Sequence, residues 1–255
     1  MNFDEVLDQE RLRECLATGT GKGVKIGVLD SGIESDLPEL NGCVKESYEV
    51  IQRGRTSAHI SKLEKGEDVI DHGTACAYII HQLAPDAELY SVRVIGATHS
   101  STSLKLLTAL DFAIKQEWDI LNLSLGTESQ FAELASLADD AYYQGMIWIA
   151  AKDNKRHKIG YPAGLSSVVA VDMDYFESPL HFRFHKNRVI EAEACGVYVD
   201  APQPGGGWQQ FTGTSFACPQ ITGITARLRE HFPNLTSFQL KAALSVLRQN
   251  SDEKE

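Results

Sequence analysis

The sequence has few of the features that mark disulfide-bonded, secreted or membrane proteins. Its five cysteines among 255 residues are scattered and form no CxxC pair, which argues against a disulfide framework or a zinc site. No apolar run reaches the roughly eighteen residues of a membrane span. The opening stretch, MNFDEVLDQERLRECLATG, is acidic and lacks the apolar core of a secretory signal. We therefore expect reduced thiols in a cytoplasmic protein that does not associate with membranes.

Positive charge is also scarce. Lysine and arginine total 24 against 35 aspartates and glutamates, which gives a net charge of -11. This balance argues against nucleic-acid binding through a basic surface. It is compatible with basic substrates, but an acidic, soluble surface explains it as well. Hydrophobic residues make up 43% and charged residues 23%, as in ordinary globular proteins.

Internal repeats, low-complexity tracts and long flexible linkers are absent from the sequence. The length fits one large domain that buries its core without disulfides. We therefore predict a single domain over residues 1–255, with residues 1–20 as an N-terminal segment and residues 251–255 (SDEKE) as a frayed tail.

Short apolar runs alternate with helical patterns along the chain. The runs predict buried strands at residues 24–30, 87–95, 120–125, 146–151 and 167–173. This alternation with short connections predicts an α/β fold whose mainly parallel central sheet carries helices on both faces. Apolar residues at helical spacing are Leu104, Leu107, Leu110 and Ile114; Phe131, Leu134, Leu137 and Ala141; Ile221, Ile224 and Leu228; and Leu240, Leu244 and Leu247.

Residues 175–207 break this pattern. They contain β-rich, partly alternating patches, HFRFHKNRVIEAEACGVYVDAPQPGGG, which end in a Gly/Pro turn. We interpret the segment as a peripheral antiparallel section.

Three polar residues stand where strands end or helices begin. Asp30 closes the apolar run in GVKIGVLDSG, His72 lies in DHGT before a helix-forming run, and Ser215 lies in TGTSFACPQITG. Each alone has an ordinary explanation, as a capping aspartate, a structural histidine or an N-cap serine. Together they supply a weakly acidic hydroxyl, a base for its proton and a carboxylate that orients the base.

The motifs around these residues resemble those of the subtilases, the subtilisin family of serine peptidases. VLDSG surrounds Asp30, DHGT contains His72, LNLSLG covers residues 121–126 and GTSFACP contains Ser215, in the chain order that subtilisin itself shows. The resemblance implies a three-layer subtilisin-like fold and peptide-bond hydrolysis through an acyl-enzyme. In this interpretation Ser215 is the nucleophile, His72 the general base and then acid, and Asp30 the residue that orients His72.

The resemblance also implies substrate-binding residues. Ser124, Leu125 and Gly126 line the channel in which the family binds a peptide as an added strand. Gly160, before Tyr-Pro-Ala, resembles the far wall of the primary specificity pocket. A glycine at this position suggests an open pocket.

One segment departs from the family pattern. Where subtilases carry an AAGN-like motif whose asparagine donates to the oxyanion, this chain has AAKDN. Ungapped comparison places Asp153 at the donor position, where a carboxylate repels the oxyanion unless it is protonated. A shift of one residue places Asn154 there instead. Both residues are therefore oxyanion candidates, with Asp153 favoured by the ungapped comparison.

A second departure concerns metal binding. The connection between the His72 helix and Ala84-Pro85 is short and lacks the loop that forms a strong calcium site in many secreted subtilases. We therefore expect no metal at that position and no cofactor. The abundant carboxylates leave a weak cation site elsewhere open.

The chain starts almost directly at the predicted catalytic domain, with neither a signal nor a propeptide in sight. It therefore resembles compact intracellular subtilases, which include proteases that cut leader peptides from ribosomally made natural products. The expected partner is a dedicated peptide or protein substrate. Two alternatives are general intracellular protein turnover and, because of Asp153, an impaired subtilase that binds peptides without cutting them.

Overall fold

The computed structural model describes residues 7–155 and 158–247. Its strands are β1 (Lys25–Asp30), β2 (Val44–Arg53), β3 (Ser57–Leu63), β4 (Glu88–Arg93), β5 (Ile120–Leu123), β6 (Ile147–Ala151), β7 (Val169–Asp174), β8 (Phe182–Phe184), β9 (Ala192–Cys195), β10 (Val199–Pro202) and β11 (Trp208–Phe211). Its α-helices are α1 (Gln9–Thr18), α2 (His72–Leu83), α3 (Ser103–Lys115), α4 (Ala132–Tyr143), α5 (Thr214–His231) and α6 (Ser237–Leu247), with a short 3₁₀ helix at Pro38–Leu40.

A nine-stranded sheet in the order β3-β2-β4-β1-β5-β6-β7-β9-β8 dominates the fold. Neighbouring strands run parallel from β2 across to β9, and the antiparallel strands β3 and β8 form the two edges. Strands β10 and β11 form a separate antiparallel hairpin. The mainly parallel central sheet predicted from the sequence is therefore confirmed.

Helices cover both faces of this sheet. Helices α1, α2, α5 and α6 pack together on one face, whereas α3 and α4 cover the other. Strand β1 shows how its side chains divide between the two cores. Ile26 and Val28 belong to the first core and Leu29 to the second, because successive side chains of a strand point to opposite faces. The three-layer arrangement is thus confirmed.

The five predicted strands are all present, with boundaries that differ by no more than two residues. Strands β2 and β3 were not predicted, because they mix exposed, half-buried and buried residues and form no apolar run. The interpretation of residues 175–207 as peripheral and antiparallel is only partly right. Strand β8 is antiparallel, but β9 joins the central sheet parallel to β7.

Residues 1–6 of the predicted N-terminal segment and the predicted frayed tail at 251–255 lie outside the described residues. Of the helices placed between residues 7 and 247, none combines the length and apolar character needed to cross a bilayer. Four of the five cysteines are buried, and all five are free thiols.

The carboxyl ends of neighbouring parallel strands bring the predicted site residues together. Asp30 is the last residue of β1, Ser124 directly follows β5, and residues 152–154 directly follow β6. Two helices begin at the same edge, since α2 starts at His72 and α5 starts one residue before Ser215. In open α/β sheets this edge is where ligands bind.

Gly27 in the middle of β1 lies where the second core has no room for a side chain. A β-carbon at this position would lie 2.4 Å from Cε3 of Trp118 and 2.7 Å from Cδ1 of Leu121. Both neighbours are buried, so neither has room to withdraw. We expect Gly27→Ala to lower the free energy of unfolding by about 1–3 kcal/mol, measured by urea denaturation.

Gly96→Ala is the matched control for this substitution. Its β-carbon would meet only the carbonyl oxygen of Ser100, at 4.0 Å, so its free energy of unfolding should stay within about 0.5 kcal/mol of the parent. Equal stabilities of the two variants would contradict the packing described for Gly27.

Candidate active site

His72 and Asp30 form a hydrogen-bonded pair at the carboxyl end of β1. Nδ1 of His72 lies 2.7 Å from Oδ1 of Asp30, which also accepts a hydrogen bond of 2.7 Å from the backbone amide of Ser31. The Asp30 side chain is fully buried, whereas 22% of the His72 side chain is exposed. Because a carboxylate only accepts, Nδ1 carries the shared proton and Nε2 of the neutral ring is left as an acceptor.

The protonation of His72 depends on two opposing effects. Burial alone lowers the pKa of His72, but the negative charge of Asp30 and the hydrogen bond to it raise this pKa above its ordinary value of 6.5. The pair therefore favours the imidazolium form more strongly than an isolated histidine does.

Ser215 lies in the first turn of α5, next to the His72 pair. Cys76, one helical turn after His72, contacts both His72 and Ser215. Its Sγ atom lies 4.0 Å from Nδ1 of His72 and donates to the carbonyl oxygen of Ser215 at 3.4 Å. The ring of Phe216 lies 5.1 Å from the imidazole of His72. Burial raises the pKa of Cys76, so this residue is a neutral thiol at pH 7.

The first turn of α5 is fixed to β5 by reciprocal hydrogen bonds. The Ser215 hydroxyl donates to the carbonyl oxygen of Ser124 at 3.1 Å, and the Ser124 hydroxyl donates to the carbonyl oxygen of Ser215 at 2.8 Å. The buried Asn122 amide donates to the Ser124 hydroxyl at 3.0 Å, while its oxygen accepts from Thr222 of α5 at 2.8 Å. These hydrogen bonds fix the backbone of Ser215 and direct its hydroxyl to the Ser124 carbonyl oxygen.

The two oxyanion candidates have different surroundings. Oδ1 of Asn154 accepts a hydrogen bond from the backbone amide of Thr214 at 3.0 Å, whereas the hydroxyl proton of Thr214 goes to the carbonyl oxygen of Lys152 at 2.6 Å. Because a backbone N–H only donates, the amide oxygen must face Thr214. The NH₂ group of Asn154 is then available to the cleft that it shares with Ser215.

Asp153 is engaged differently. Its Oδ1 accepts a hydrogen bond of 2.7 Å from the backbone amide of Lys155, as aspartates do in tight turns. The geometry therefore favours Asn154 over Asp153, the residue that the ungapped comparison had placed at the donor position. In this turn the Asp153 carboxylate accepts from the amide two residues later, and the next side chain, that of Asn154, faces Thr214.

A cleft of about 280 Å³ runs beside Ser215. Residues 124–127 form one wall, so all three channel residues predicted from the sequence line it. Residues 151–155 and Gly160 form the opposite wall. The cleft thus brings together the predicted channel residues, Gly160, both oxyanion candidates and Ser215. Asp30 and His72 lie outside its lining, and His72 is linked to the Ser215 segment through Cys76 and the Phe216 ring. The Ser215 hydroxyl donates to Ser124 and not to His72.

A backbone bridge joins Thr127, in one wall of the cleft, to Tyr161, the residue after Gly160. The amide of Thr127 donates to the carbonyl oxygen of Tyr161, and the amide of Tyr161 donates to that of Thr127, both at 2.8 Å. Gly126 is required next to this bridge, because a β-carbon there would lie 2.9 Å from the Tyr161 carbonyl oxygen. Gly160 adopts a positive φ of 75°, a conformation that favours glycine.

Exposed ion pairs accompany the bridge. Glu128 lies 2.5 Å from Nζ of Lys155 and 2.6 Å from Nζ of Lys158. The hydrogen bonds from these lysines lower the pKa of Glu128 to about 2. The less exposed Lys152 pairs with Asp172 at 3.1 Å. The lysines described at this wall are therefore matched by carboxylates.

Asp30, His72 and Cys76 are also the one set of described residues whose potential metal-ligand atoms lie close together, all within 4.8 Å. An ion bound there would take the place of the proton between His72 and Asp30. Metal binding and the hydrogen-bonded pair are therefore mutually exclusive. Cys76 was missed from the sequence, although its spacing of four residues from His72 on a helix was the available signal.

Comparison with known proteins identifies the family. A model of the Subtilase family (Peptidase_S8) matches residues 21–249, so the chain belongs to the subtilases. It is 30% identical over 239 residues to Subtilisin E of Bacillus subtilis (strain 168), covering 88% of this chain and 60% of the relative. It is 31% identical over 233 residues to M-protease of Shouchella clausii (strain KSM-K16), covering 87% and 58%. The chain thus spans about three fifths of the length of these relatives.

Solved structures show the same fold. Sphericase superposes with a TM-score of 0.73 at 23% identity, covering 92% of this chain and 87% of that one. A cold adapted subtilisin-like serine proteinase superposes with a TM-score of 0.72 at 24% identity, covering 89% and 83%. The three-layer subtilisin-like α/β fold expected from the motifs is therefore confirmed.

The effect of Asp30 on His72 can be measured directly. We expect the pKa of His72 to lie above 6.5 in the parent and to fall in Asp30→Asn, because the amide keeps the burial but removes the negative charge. An NMR titration of the imidazole resonances measures both values, with His72→Gln to assign the signals. Asp111→Asn, an exposed carboxylate paired with Lys115, should leave the pKa of His72 unchanged. A His72 pKa equal in Asp30→Asn and the parent would contradict the pairing.

Proposed function

We propose that the protein is a serine endopeptidase in which Asp30, His72 and Ser215 form the catalytic triad. The observation that carries this proposal is the 2.7 Å hydrogen bond between His72 and Asp30 next to a cleft lined by Ser215. Membership of the subtilase family supports the same assignment, since each residue stands in its own family motif.

The reaction begins with proton transfer from Ser215. Its hydroxyl leaves the Ser124 carbonyl oxygen and turns to Nε2 of His72, which takes the proton as Oγ bonds to the scissile carbonyl carbon. Asp30 stabilises the resulting imidazolium through Nδ1–H. His72 then gives the proton to the leaving amine as the C–N bond breaks. Water hydrolyses the acyl-enzyme by the same route, with His72 again as base and then acid.

Two donors face the developing oxyanion in this proposal. One is the backbone amide of Ser215 at the N-terminus of α5, where the helix dipole also favours negative charge. The other is the NH₂ group of Asn154, oriented by the hydrogen bond that its oxygen accepts from the Thr214 backbone amide. An oriented amide donor weakens the alternative of an impaired peptide-binding subtilase, which depended on Asp153 at this position.

We further propose a dedicated peptide substrate, such as the leader of a ribosomally made precursor, cut in the cytoplasm. The peptide would lie along residues 124–126 as an added strand, with one side chain in the cleft. The backbone bridge between Thr127 and Tyr161 supports selectivity, because it holds Thr127 in place in the wall of the cleft. The triad itself requires no metal or cofactor. General protein turnover is the second candidate, supported by Gly126 and Gly160, which leave both walls of the cleft without a side chain at these positions.

Incubation of the protein and of Ser215→Ala with a peptide library tests both the triad assignment and the proposal of a dedicated substrate. We expect the parent to cleave internal bonds and Ser215→Ala to lose about 10⁶-fold in turnover, the order known for subtilisin. Mass spectrometry of the products reads the specificity. A few sites with one shared motif support a dedicated substrate, and cleavage at many unrelated sites supports general turnover. Cleavage by Ser215→Ala at the parental rate would overturn the triad assignment.

A matched pair of variants tests the oxyanion donor. We expect Asn154→Ala to lower turnover by about 10²–10³-fold, the loss known for the corresponding amide of subtilisin. Asp153→Asn should change turnover little, because its carboxylate bonds to the Lys155 amide in the turn. The reverse result, a large change for Asp153→Asn and none for Asn154→Ala, would show that Asp153 occupies the donor position.

A further inference from the structure

The carboxylate of Asp68 joins the two chain segments that carry Asp30 and His72. Its Oδ1 accepts from the Ser31 hydroxyl at 2.6 Å and from the backbone amides of Ile70 and Asp71 at 3.2 and 3.1 Å. Its Oδ2 accepts from both the backbone amide and the hydroxyl of Thr74, each at 2.7 Å. Five donors therefore converge on one side chain.

The segment after Asp30 and the segment around His72 meet at a junction. The two hydroxyls that donate to Asp68 also accept hydrogen bonds from one segment to the other across this junction. Ser31, next to Asp30 in the chain, accepts from the backbone amide of Gly73 at 3.0 Å. Thr74, at the start of α2, accepts from the backbone amide of Glu34 at 3.0 Å. Each segment thus donates a backbone amide to the hydroxyl of the other. Both hydroxyl-bearing residues are fully buried.

The backbones at this junction are in direct contact. A β-carbon on Gly73 would lie 2.1 Å from the carbonyl oxygen of Gly32, and one on Gly32 would lie 2.0 Å from that of Glu67. Small shifts of one segment are therefore transmitted to the others. The 2.7 Å contact between His72 and Asp30 lies within the same junction.

From this arrangement we propose that Asp68 is a positioning residue for the His72–Asp30 pair, a role that rests on the proposed peptidase function. A hydroxyl has a single proton, and both hydroxyls give theirs to Asp68. Their lone pairs are then directed to the amides of Gly73 and Glu34. Asp68 thereby sets the direction of two hydrogen bonds that hold His72 against Asp30, without contacting either reacting atom.

The charge of Asp68 is essential to this role. Both of its oxygens receive a backbone N–H, because Oδ2 faces the amide of Thr74 and Oδ1 those of Ile70 and Asp71. In Asp68→Asn the NH₂ group would face a backbone donor in either orientation of the amide. One contact must break, although size and shape are kept.

Asp68→Asn is the first test, with kcat, KM and the imidazole NMR signals as readouts. We expect kcat to fall by about 10–100-fold while KM changes by less than about 3-fold, because the cleft is untouched. The low-field Nδ1–H resonance of His72 should move toward that of an isolated imidazole, and the pKa of His72 should fall. Asp36→Asn, whose carboxylate pairs with Lys65 on the surface, is the control and should match the parent.

Thr74→Val and Thr74→Ser provide a milder pair that does not depend on the folding of Asp68→Asn. The serine keeps the hydroxyl and should retain parental kcat, whereas the valine removes it and should lower kcat and move the His72 resonance. Parental kcat and resonance in Thr74→Val, or an unmoved resonance in a folded Asp68→Asn, would overturn the positioning role. The resonance requires no turnover, so it separates this failure from a failure of the triad assignment, which Ser215→Ala reveals.

Discussion

The hydrogen bond between His72 and Asp30 places a carboxylate in the interior of the protein, fully removed from solvent. Burial of an unpaired charge is costly, so the surrounding chain must supply donors. The Ser31 amide and Nδ1 of His72 both reach the same carboxylate oxygen. To bring both donors to Asp30, the last residue of β1 must lie beside His72, the first residue of α2. The parallel sheet meets this requirement at Oδ1, because its strands end at the edge where helices start, whereas Oδ2 of Asp30 is buried without a partner among the described residues.

The position of Ser215 is likewise set by hydrogen bonds at the end of a strand, in this case β5. Strand β5 lies beside β1 in the sheet, and Ser124 at its end exchanges two hydrogen bonds with Ser215. The buried Asn122 ties β5 to the body of α5 through Thr222. The nucleophile and its base are thus attached to adjacent strands of one rigid sheet. Their separation is determined by strand spacing more than by flexible loops.

Much of this could be read from the sequence. The central strands were visible because strands buried on both faces are continuous apolar runs, and Asp30, His72 and Ser215 stood in recognisable motifs. Strands β2 and β3 escaped because their polar residues mask the pattern. Asn154 and Asp153 could not be separated by spacing, since the choice depends on which side chain a turn directs at Thr214. The hydrogen bond between Asp68 and Ser31 joins residues 37 positions apart, a contact that only the folded chain creates.

The backbone bridge between Thr127 and Tyr161 has a consequence for how the cleft responds to its surroundings. Its two hydrogen bonds join peptide groups, which neither titrate nor respond to dissolved ions. The nearby pairs of Glu128 with Lys155 and Lys158 are exposed and lose strength as salt screens them. The backbone at this bridge therefore keeps its position over a range of pH and salt, whereas the side chain of Lys155, which also lines the cleft, gains freedom as its ion pair is screened. Ionic strength thus acts on the charged side chains around the cleft and on the arrival of a charged peptide, while the backbone frame between Thr127 and Tyr161 stays the same.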